Sequence, residues 1–203
     1  MPLKTPKFWG KKNIISFALL PFSFLYFIGM MLDRIFTKSE KISKPVICIG
    51  NLIAGGSGKT PVAMAIGKIL KEEGLEFAFL SSGYKGKGSN FISLKEGEHC
   101  HQTVGDEPLL LNEISQTYVA KNRLFGAQKI DKIDDIKAII LDDGMQNKSL
   151  QKDLTIAVID GKIALGNELL IPAGPMRQPL NMGLKDADLI VIIGDAPKWL
   201  HSN

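Results

Sequence analysis

The part of this sequence best suited to chemistry is a glycine-rich string that ends in lysine and threonine. The string, GGSGKT at residues 55–60, lies between an apolar run at 46–50 and a stretch of helical spacing at 59–73. Glycines let backbone N–H groups turn toward phosphate oxygens, and the N-terminus of the following helix adds partial positive charge. The string therefore predicts a nucleotide-binding loop in which Lys59 reaches the β- and γ-phosphates and the Thr60 hydroxyl binds Mg²⁺. The expected nucleotide-binding residues are Ile53, Ala54, Gly55, Gly56, Ser57, Gly58, Lys59 and Thr60.

This loop departs at one position from the usual form, which has glycine five residues before Gly58, where this chain has Ile53. Two adjacent carboxylates, Asp142 and Asp143, complete the arrangement because they follow the apolar run at 139–141. A hydrophobic strand that ends in aspartate places a carboxylate beside the metal at the carboxyl edge of a parallel sheet. Acidic residues often end strands, so the pair is informative only together with the loop. Either Asp142 or Asp143 could be the Mg²⁺ ligand.

The elements that must position these residues are indicated by apolar runs that alternate with amphipathic stretches after residue 45. Strands are predicted at 46–50, 77–81, 138–141, 155–159 and 189–193, and helices at 59–73 and 108–116. Strands that alternate with helices, without hairpin turns, predict a mostly parallel sheet with helices on both faces. The expected class is therefore α/β and P-loop NTPase-like. The predicted domains are an N-terminal helical segment at 1–44 and a nucleotide-binding domain at 45–203.

The N-terminal segment contains an uncharged run of 19 residues at 14–32, which is close to the roughly 20 residues that span a bilayer. Residues 1–45 carry eight basic and two acidic side chains, so the basic excess surrounds this run and indicates an anionic membrane surface rather than nucleic acid. Pro21 and Gly29 are expected to interrupt the helix. A single span would place the first lysines outside, against the positive-inside tendency. We therefore expect a helix or helical hairpin that is peripheral or monotopic; a span and a buried helix are the alternatives.

Cysteines and histidines indicate no further site. Cys48 and Cys100 form no spacing pattern, which favours free, reduced thiols. The triplet His99-Cys100-His101 could suggest a metal, but adjacent residues on a strand point to opposite faces and no second ligand cluster exists. A polar hairpin is the preferred interpretation.

Five strings resemble, in order and spacing, those of the tetraacyldisaccharide 4'-kinases, the lipid A 4'-kinase family. They are GNLIAGGSGKTP at 50–61, VGDEP at 104–108, DDGMQ at 142–146, VIDG at 158–161 and LIPAGPMR at 170–177. The resemblance implies transfer of the ATP γ-phosphate to the 4'-hydroxyl of an acylated glucosamine disaccharide 1-phosphate, with Mg²⁺. It also implies a place on the cytosolic face of the inner membrane, where the lipid substrate is found.

The same resemblance implies roles for individual residues. Asp106 is expected to accept the proton of the sugar hydroxyl while Lys59 stabilises the transferring phosphate. Without the resemblance, Asp106 would be interpreted as the cap of a helix that has Pro108 in its first turn. The implied substrate-binding residues are Asn51, Tyr84, Gln146 and Arg177.

Three positions depart from the family pattern: Ser82 stands where arginine is usual, Asn147 where histidine is usual and Gln178 where glutamate is usual. The family also continues for a further C-terminal region, which carries a histidine implied to act with the aspartate, and His201 is not expected to substitute for that histidine. Two other interpretations of the sequence therefore stand beside the lipid kinase. One is an inactive or split fragment that binds nucleotide, with a separately encoded C-terminal half as partner. The other is a membrane-associated ATPase switch, which is disfavoured because such loops have lysine where this chain has Ala54.

Overall fold

The structure, a computed structural model, describes residues 5–56, 58–82, 91–94 and 104–196. Predictions for Ser57, Tyr84, the triplet 99–101 and His201 lie outside the described residues. The chain divides into two compact units. The first unit comprises Met1–Thr37, Asn51–Gly58 and Ile156–Asn203, and the second unit comprises Lys38–Gly50 and Lys59–Thr155.

The described residues form six α-helices and seven strands. The helices are α1 Ile14–Ala18, α2 Leu20–Phe36, α3 Lys59–Glu72, α4 Asp106–Asn112, α5 Arg123–Asp131 and α6 Leu180–Lys185. The strands are β1 Val46–Gly50, β2 Phe77–Ser81, β3 Ile92–Ser93, β4 Thr117–Val119, β5 Ala138–Asp142, β6 Leu154–Asp160 and β7 Leu189–Ile193.

The second unit is built on five strands in the order β3-β4-β2-β5-β1. The pairs β1–β5, β2–β5 and β2–β4 are parallel, and the short edge strand β3 is antiparallel to β4. Every residue of β2 and β5 is buried, which explains why their sequences are continuous apolar runs rather than alternating ones. The predicted α/β class with a mostly parallel sheet is confirmed.

Two elements of the second unit were not predicted. Strand β4 has only three residues and shows no periodicity. The helix predicted at 108–116 is shorter than expected, because α4 ends at Asn112, whose side chain accepts the Thr117 N–H at 3.0 Å. Helix α5 lacks a clear apolar stripe and contains Gly126, a poor helix former. Its start is fixed instead by Asn122, whose side chain accepts the Phe125 N–H at 3.0 Å.

The first unit begins with the two helices of the uncharged N-terminal run. Asn13 caps α1 by accepting the Ser16 N–H, and the helix breaks at Leu19. Pro21 lies in the first turn of α2, where its missing N–H leaves no helical hydrogen bond unmade. The prediction that Gly29 interrupts the helix was wrong, since α2 is continuous through Gly29. Among the described residues, no helix is both long and apolar enough to cross a membrane.

Polar contacts join this N-terminal segment to the rest of the first unit. Asn167 is buried and its Nδ2 donates to the Ala173 carbonyl at 2.9 Å and to the Ser16 hydroxyl at 3.1 Å. The Trp9 Nε1 donates to the Pro172 carbonyl at 3.0 Å. Strands β6 and β7 of this unit pair in parallel from Ile156 to Asp160. The N-terminal segment is therefore held to the rest of the unit by hydrogen bonds, of which the one between Asn167 and Ser16 is buried.

Candidate active site

The carboxylate pair lies at the carboxyl end of β5 in the second unit. Asp142 is the last residue of the strand, and Asp143 follows with a φ of 55°. Aspartate is among the few residues other than glycine that adopt this left-handed conformation readily. The Asp143 N–H donates to the Ile49 carbonyl at 2.9 Å, and its carbonyl accepts from Arg123 Nη2 at 2.8 Å. The turn is thus fixed by both of its backbone groups.

Lys59 is brought to the same place from the start of α3. Its Nζ lies 3.9 Å from the Asp143 Oδ1, and its side chain is only 11% exposed. This distance exceeds that of a hydrogen bond, so the contact is an electrostatic one between partly shielded charges. The structure therefore unites the lysine of the glycine-rich string with the carboxylate pair, two features separated by about 80 positions in sequence.

Asp142 is nearly inaccessible, with 1% of its surface exposed, and its Oδ1 has no hydrogen-bond partner among the described residues. Burial, and secondarily the Glu107 carboxylate, raises the pKa of Asp142 to about 7, and the nearby Lys59 ammonium opposes the rise. A buried carboxylate oxygen without a partner is costly unless a cation satisfies it.

This donor chemistry fits Mg²⁺. Carboxylate oxygens of Asp142 and Asp143, with the Thr60 hydroxyl in the first turn of α3, are hard oxygen donors. Among the described residues, no group of three or more histidine, cysteine, aspartate or glutamate side chains could hold a metal. Mg²⁺ commonly needs only one or two protein carboxylates, because phosphates and water complete its octahedron. The site is thus suited to a metal that arrives with a nucleotide.

The glycine loop itself belongs to the first unit, and two of its residues need the freedom of glycine. Gly55 has a φ of +126° and Gly58 a φ of +73°. The side chain of Asn51, predicted to bind substrate, is fully buried, and its Nδ2 lies 3.5 Å from the Gly55 carbonyl. The described geometry therefore gives Asn51 a contact that supports the loop from within.

The first half of the loop pairs with residues 169–178, which we call the pairing segment. The Ala54 N–H donates to the Pro175 carbonyl at 2.7 Å, and the Arg177 N–H donates to the Leu52 carbonyl at 2.9 Å. Between them, Ile53 is buried and bridges to Met176. The Ala54 amide is consequently occupied by a protein carbonyl in this conformation, whereas Gly56 is exposed and has no described atom within 4 Å of an added Cβ.

Asp106 is the first residue of α4 and is exposed. The residue that caps this helix is Gly105, with a φ of 91°, and no side chain makes the capping hydrogen bond. The alternative interpretation of Asp106 as a helix cap is therefore wrong. Glu107 follows in the same turn and is close enough to raise the pKa of Asp142.

Two charged residues at this site were not predicted. Glu107 could have been noticed, because it follows Asp106 in the VGDEP string. Arg123 gave no such signal, since it opens α5, a helix that the sequence pattern did not reveal. Its contact with Asp143 depends on the folded positions of α5 and β5.

Two of the departures from the family pattern have structural partners. The Asn147 Oδ1 accepts from the Ser149 hydroxyl at 3.0 Å and from the Leu150 N–H at 3.3 Å, which closes a turn after the carboxylate pair. Gln178 is buried, and its Nε2 lies 3.4 Å from the Asp186 Oδ2. A glutamate at 178 would set two carboxylates against each other there. Nothing in the structure explains Ser82.

Gln146 and Arg177, the other described residues with implied substrate roles, are both half-buried. Gln146 lies in the turn after the carboxylate pair in the second unit, and Arg177 lies in the pairing segment of the first unit. The Arg177 backbone is fixed by hydrogen bonds at both its N–H and its carbonyl.

A parallel sheet, a glycine loop that leads into a helix beginning with lysine and threonine, and a carboxylate pair at a strand end define a P-loop NTPase-like protein. The sequence profile described as Tetraacyldisaccharide-1-P 4'-kinase matches residues 15–201. The chain belongs to this family, which confirms the resemblance inferred from its motifs.

Individual relatives agree with this placement. A tetraacyldisaccharide 4'-kinase of Methylobacterium nodulans is 41% identical over 197 residues, which cover 96% of this chain and 58% of that protein. The Rhodospirillum rubrum protein of the same name is 38% identical over 193 residues, again covering 58% of its length. A crystal structure of LpxK from Aquifex aeolicus in complex with ATP has a TM-score of 0.77 and 33% identity, and the match covers 89% of this chain and 59% of that one. The chain thus spans somewhat under two thirds of the length of these relatives.

Proposed function

We propose that this chain carries the ATP-binding part of a lipid kinase, which transfers the γ-phosphate of ATP to the 4'-hydroxyl of tetraacyldisaccharide 1-phosphate in lipid A biosynthesis. The observation that carries this proposal is the approach of Lys59 to the Asp142–Asp143 pair. A lysine opening a helix after a glycine loop, opposite carboxylates at a strand end, is the arrangement that P-loop enzymes use for Mg²⁺-dependent phosphoryl transfer.

Each residue then has a defined task. Backbone N–H groups of the glycine string would contact the phosphates, and the Lys59 ammonium would neutralise charge on the β- and γ-phosphates. Thr60, Asp142 and Asp143 would hold Mg²⁺, which would supply neutralisation of the negative charge on the phosphates. The Lys59 Nζ lies 3.9 Å from the Asp143 Oδ1, and a phosphate, which is also an anion, could replace this carboxylate as its partner.

The acceptor hydroxyl needs a base, and Asp106 is proposed for this task. Its carboxylate takes the hydroxyl proton as the sugar oxygen forms a bond to the γ-phosphorus and the bond to the β-γ bridging oxygen breaks, which releases ADP. An exposed carboxylate at the start of α4 is reachable by a substrate that arrives from solvent or membrane. Tyr84, Gln146 and Arg177 are proposed to contact the lipid headgroup. Asn51, predicted to share this role, is fully buried against the Gly55 carbonyl and is assigned to support of the loop instead.

A lipid substrate also explains the N-terminal helices. Helices α1 and α2 expose a set of large apolar side chains: Ile14, Ile15, Phe17, Leu20, Phe22, Phe24, Leu25, Ile28, Leu32, Ile35 and Phe36. A soluble surface rarely shows so many together, and lysines flank the segment on both sides. We propose that residues 1–44 dock as a peripheral or monotopic element on the cytosolic face of the inner membrane, while residues 45–203 bind the nucleotide.

The test of the kinase is phosphate transfer from labelled ATP to tetraacyldisaccharide 1-phosphate in detergent micelles. Transfer is expected with the wild-type chain and not with Lys59→Ala or Asp106→Asn. The control variant is Lys68→Ala, an exposed lysine on the same helix as Lys59, which should leave transfer unchanged. ATP binding without transfer would favour the nucleotide-binding fragment and call for a separately encoded C-terminal half. Lipid-independent ATP hydrolysis would favour an ATPase switch.

Membrane docking is tested separately by flotation with vesicles that contain anionic lipid. Phe24→Glu and Leu25→Glu, at side chains that are each 63% exposed, should abolish flotation. Ile69→Glu, at a similarly exposed apolar position on α3, is the matched control and should float like the wild type. Equal loss in all three variants would refute the assignment of the docking surface to α2.

A further inference from the structure

Helix α2 makes a row of polar contacts with the pairing segment and its neighbourhood, all within the first unit. The Ser23 hydroxyl donates to the Leu170 carbonyl at 2.8 Å and accepts the Ala173 N–H at 3.1 Å. One turn later, the Tyr26 hydroxyl donates to the Arg177 carbonyl at 2.8 Å. Near the end of α2, Arg34 forms a two-pronged ion pair with Asp186, at 2.9 and 3.1 Å. Two polar side chains of this largely apolar helix, Ser23 and Tyr26, therefore contact the pairing segment, and Arg34 contacts Asp186 beyond it.

The pairing segment in turn holds the start of the phosphate loop. Arg177 and Pro175 exchange backbone hydrogen bonds with Leu52 and Ala54, and Met176 bridges to Ile53. These bonds fix three consecutive residues that lead directly into Gly55. The backbone of the loop is thus set by the segment beside it as well as by its own glycines.

Arg177 is the point at which the two sets of contacts meet. Its carbonyl accepts the Tyr26 hydroxyl, and its N–H donates to the Leu52 carbonyl. Arg177 is therefore the single residue between the Tyr26 hydroxyl of α2 and residues 52–54, which lead into the phosphate loop. Ser23 acts further upstream on the same segment, through Leu170, which bridges to Met176.

We propose that Tyr26 is a positioning residue for nucleotide binding: its hydroxyl fixes Arg177, and through Arg177 it fixes the backbone of residues 52–54 at the entrance of the phosphate loop. The inference rests on the proposed nucleotide-binding function of that loop. Tyr26 touches no substrate in this scheme, and its effect passes through two hydrogen bonds in series.

The test uses Tyr26→Phe, which removes the hydroxyl and keeps the ring. The matched control is Trp9→Phe, which also removes one hydrogen bond from the N-terminal segment to the same stretch of chain. That bond, however, ends on Pro172 rather than on a residue paired with the phosphate loop. Both variants lose one neutral hydrogen bond, and Trp9→Phe also loses part of the indole ring, so Trp9→Phe should destabilise the fold at least as much as Tyr26→Phe.

Two measurements are compared in the full chain: the Kd for Mg-ATP by titration calorimetry, and the hydrogen-exchange rate of the Ala54 amide. Loss of one hydrogen bond corresponds to about a fivefold change in an equilibrium constant. Tyr26→Phe should weaken Mg-ATP binding about fivefold and accelerate Ala54 exchange to the same degree, while Trp9→Phe should change both by less than about twofold. Unchanged Ala54 exchange in Tyr26→Phe, or an equal effect of Trp9→Phe, would overturn the proposal.

The exchange measurement separates this inference from the proposed function. If the wild-type chain binds no nucleotide, the proposed function fails, but the Ala54 amide still reports whether Tyr26 holds the loop. If nucleotide binds and the two variants differ as expected, both stand. Nucleotide binding with identical exchange in the wild type and Tyr26→Phe keeps the function and rejects the role of Tyr26.

Discussion

Replacement of Gly58 by alanine should destabilise the first unit, whereas the same change two residues earlier, at Gly56, should not. Gly58 has a φ of +73°, in the left-handed region. Alanine there costs about 1–2 kcal/mol of backbone strain. An added Cβ would also lie 2.2 Å from the Ile193 Cδ1. That atom ends a flexible side chain that is 39% exposed, so rotation relieves the clash for about 1 kcal/mol.

The expected cost of Gly58→Ala is therefore about 1–3 kcal/mol in the free energy of unfolding, with backbone strain as the larger part. At Gly56, φ lies outside the left-handed region, and no described atom is within 4 Å of an added Cβ. Alanine there lowers the entropy of the unfolded chain and should stabilise by about 0.4–1 kcal/mol. The two variants have the same composition, so any difference between them comes from backbone conformation and local contacts.

The assay is urea unfolding followed by the fluorescence of Trp9, which lies in the first unit, in a Trp199→Phe background. Adding Ile193→Val to Gly58→Ala removes the clashing atom and should recover no more than about 1 kcal/mol. Equal stability of the Gly56→Ala and Gly58→Ala variants would refute the reasoning. Full recovery by Ile193→Val would show that sterics, rather than the left-handed backbone, determine the need for glycine at this position.

Three further predictions concern the second unit. Burial raises the pKa of Asp142 from its ordinary value of 3.8 to about 7. The folded state therefore holds this proton more tightly than the unfolded state does, and the contribution of Asp142 to stability is most favourable below pH 3.8. In buffer with EDTA, the stability of the wild type relative to Asp142→Asn should therefore fall by about 1.4 kcal/mol per pH unit between about pH 4.5 and 6.5. Burial likewise raises the pKa of Cys48 from 9.0 to about 11. Stability relative to Cys48→Ala should consequently fall by about 2 kcal/mol as the pH rises from 9 to 11. Asn147→His should cost about 1 kcal/mol in urea unfolding, because Leu150 and Ser149 lose their acceptor, while Asn147→Asp retains it.

Each of these predictions has an internal control and a contrary result. For Asp142, the exposed Asp135→Asn variant supplies the control, since its difference from the wild type should not follow the same pH course. A constant difference between wild type and Asp142→Asn across the range would contradict the raised pKa. For Cys48, parallel stability curves of the wild type and Cys48→Ala above pH 9 would be the contrary result. For Asn147, equal losses with histidine and aspartate would show that the acceptor oxygen is unimportant.

The parts of the fold that could be predicted are those whose burial is continuous or periodic. Strand β5 and helix α3 are long enough for their apolar patterns to be legible, so the loop between β1 and α3 and the carboxylates after β5 could be placed correctly. Strand β4 could not be predicted, because three residues carry no period and its partner β2 is remote in sequence. Contacts of Arg123 and Glu107 with the carboxylate pair depend on how helices pack, which no local pattern encodes.

Gly29 and Asp106 illustrate a different limit. Sequence preference treats glycine as a helix breaker, yet in α2 the hydrogen bonds of Ser23 and Tyr26 to the pairing segment hold the turns on the N-terminal side of Gly29. Aspartate before Pro108 has the composition of a cap, but Gly105 occupies that position. In both cases, tertiary contacts and the exact frame of the helix decided the outcome, and local preference alone was insufficient.

The buried hydrogen bonds between Asn167, Ser16 and Ala173 have a practical consequence for anyone who wishes to produce this protein in quantity. Cutting away residues 1–37 to improve its behaviour without detergent would leave Asn167 and the pairing segment without several of their partners and uncover surface that is now covered. The better strategy is to recode the outward-facing side chains of α2, such as Phe24 and Leu25, as polar residues while keeping Ser16, Ser23 and Tyr26. The apolar N-terminal segment is therefore a structural part of the first unit, and its exposed side chains should be replaced rather than the segment removed.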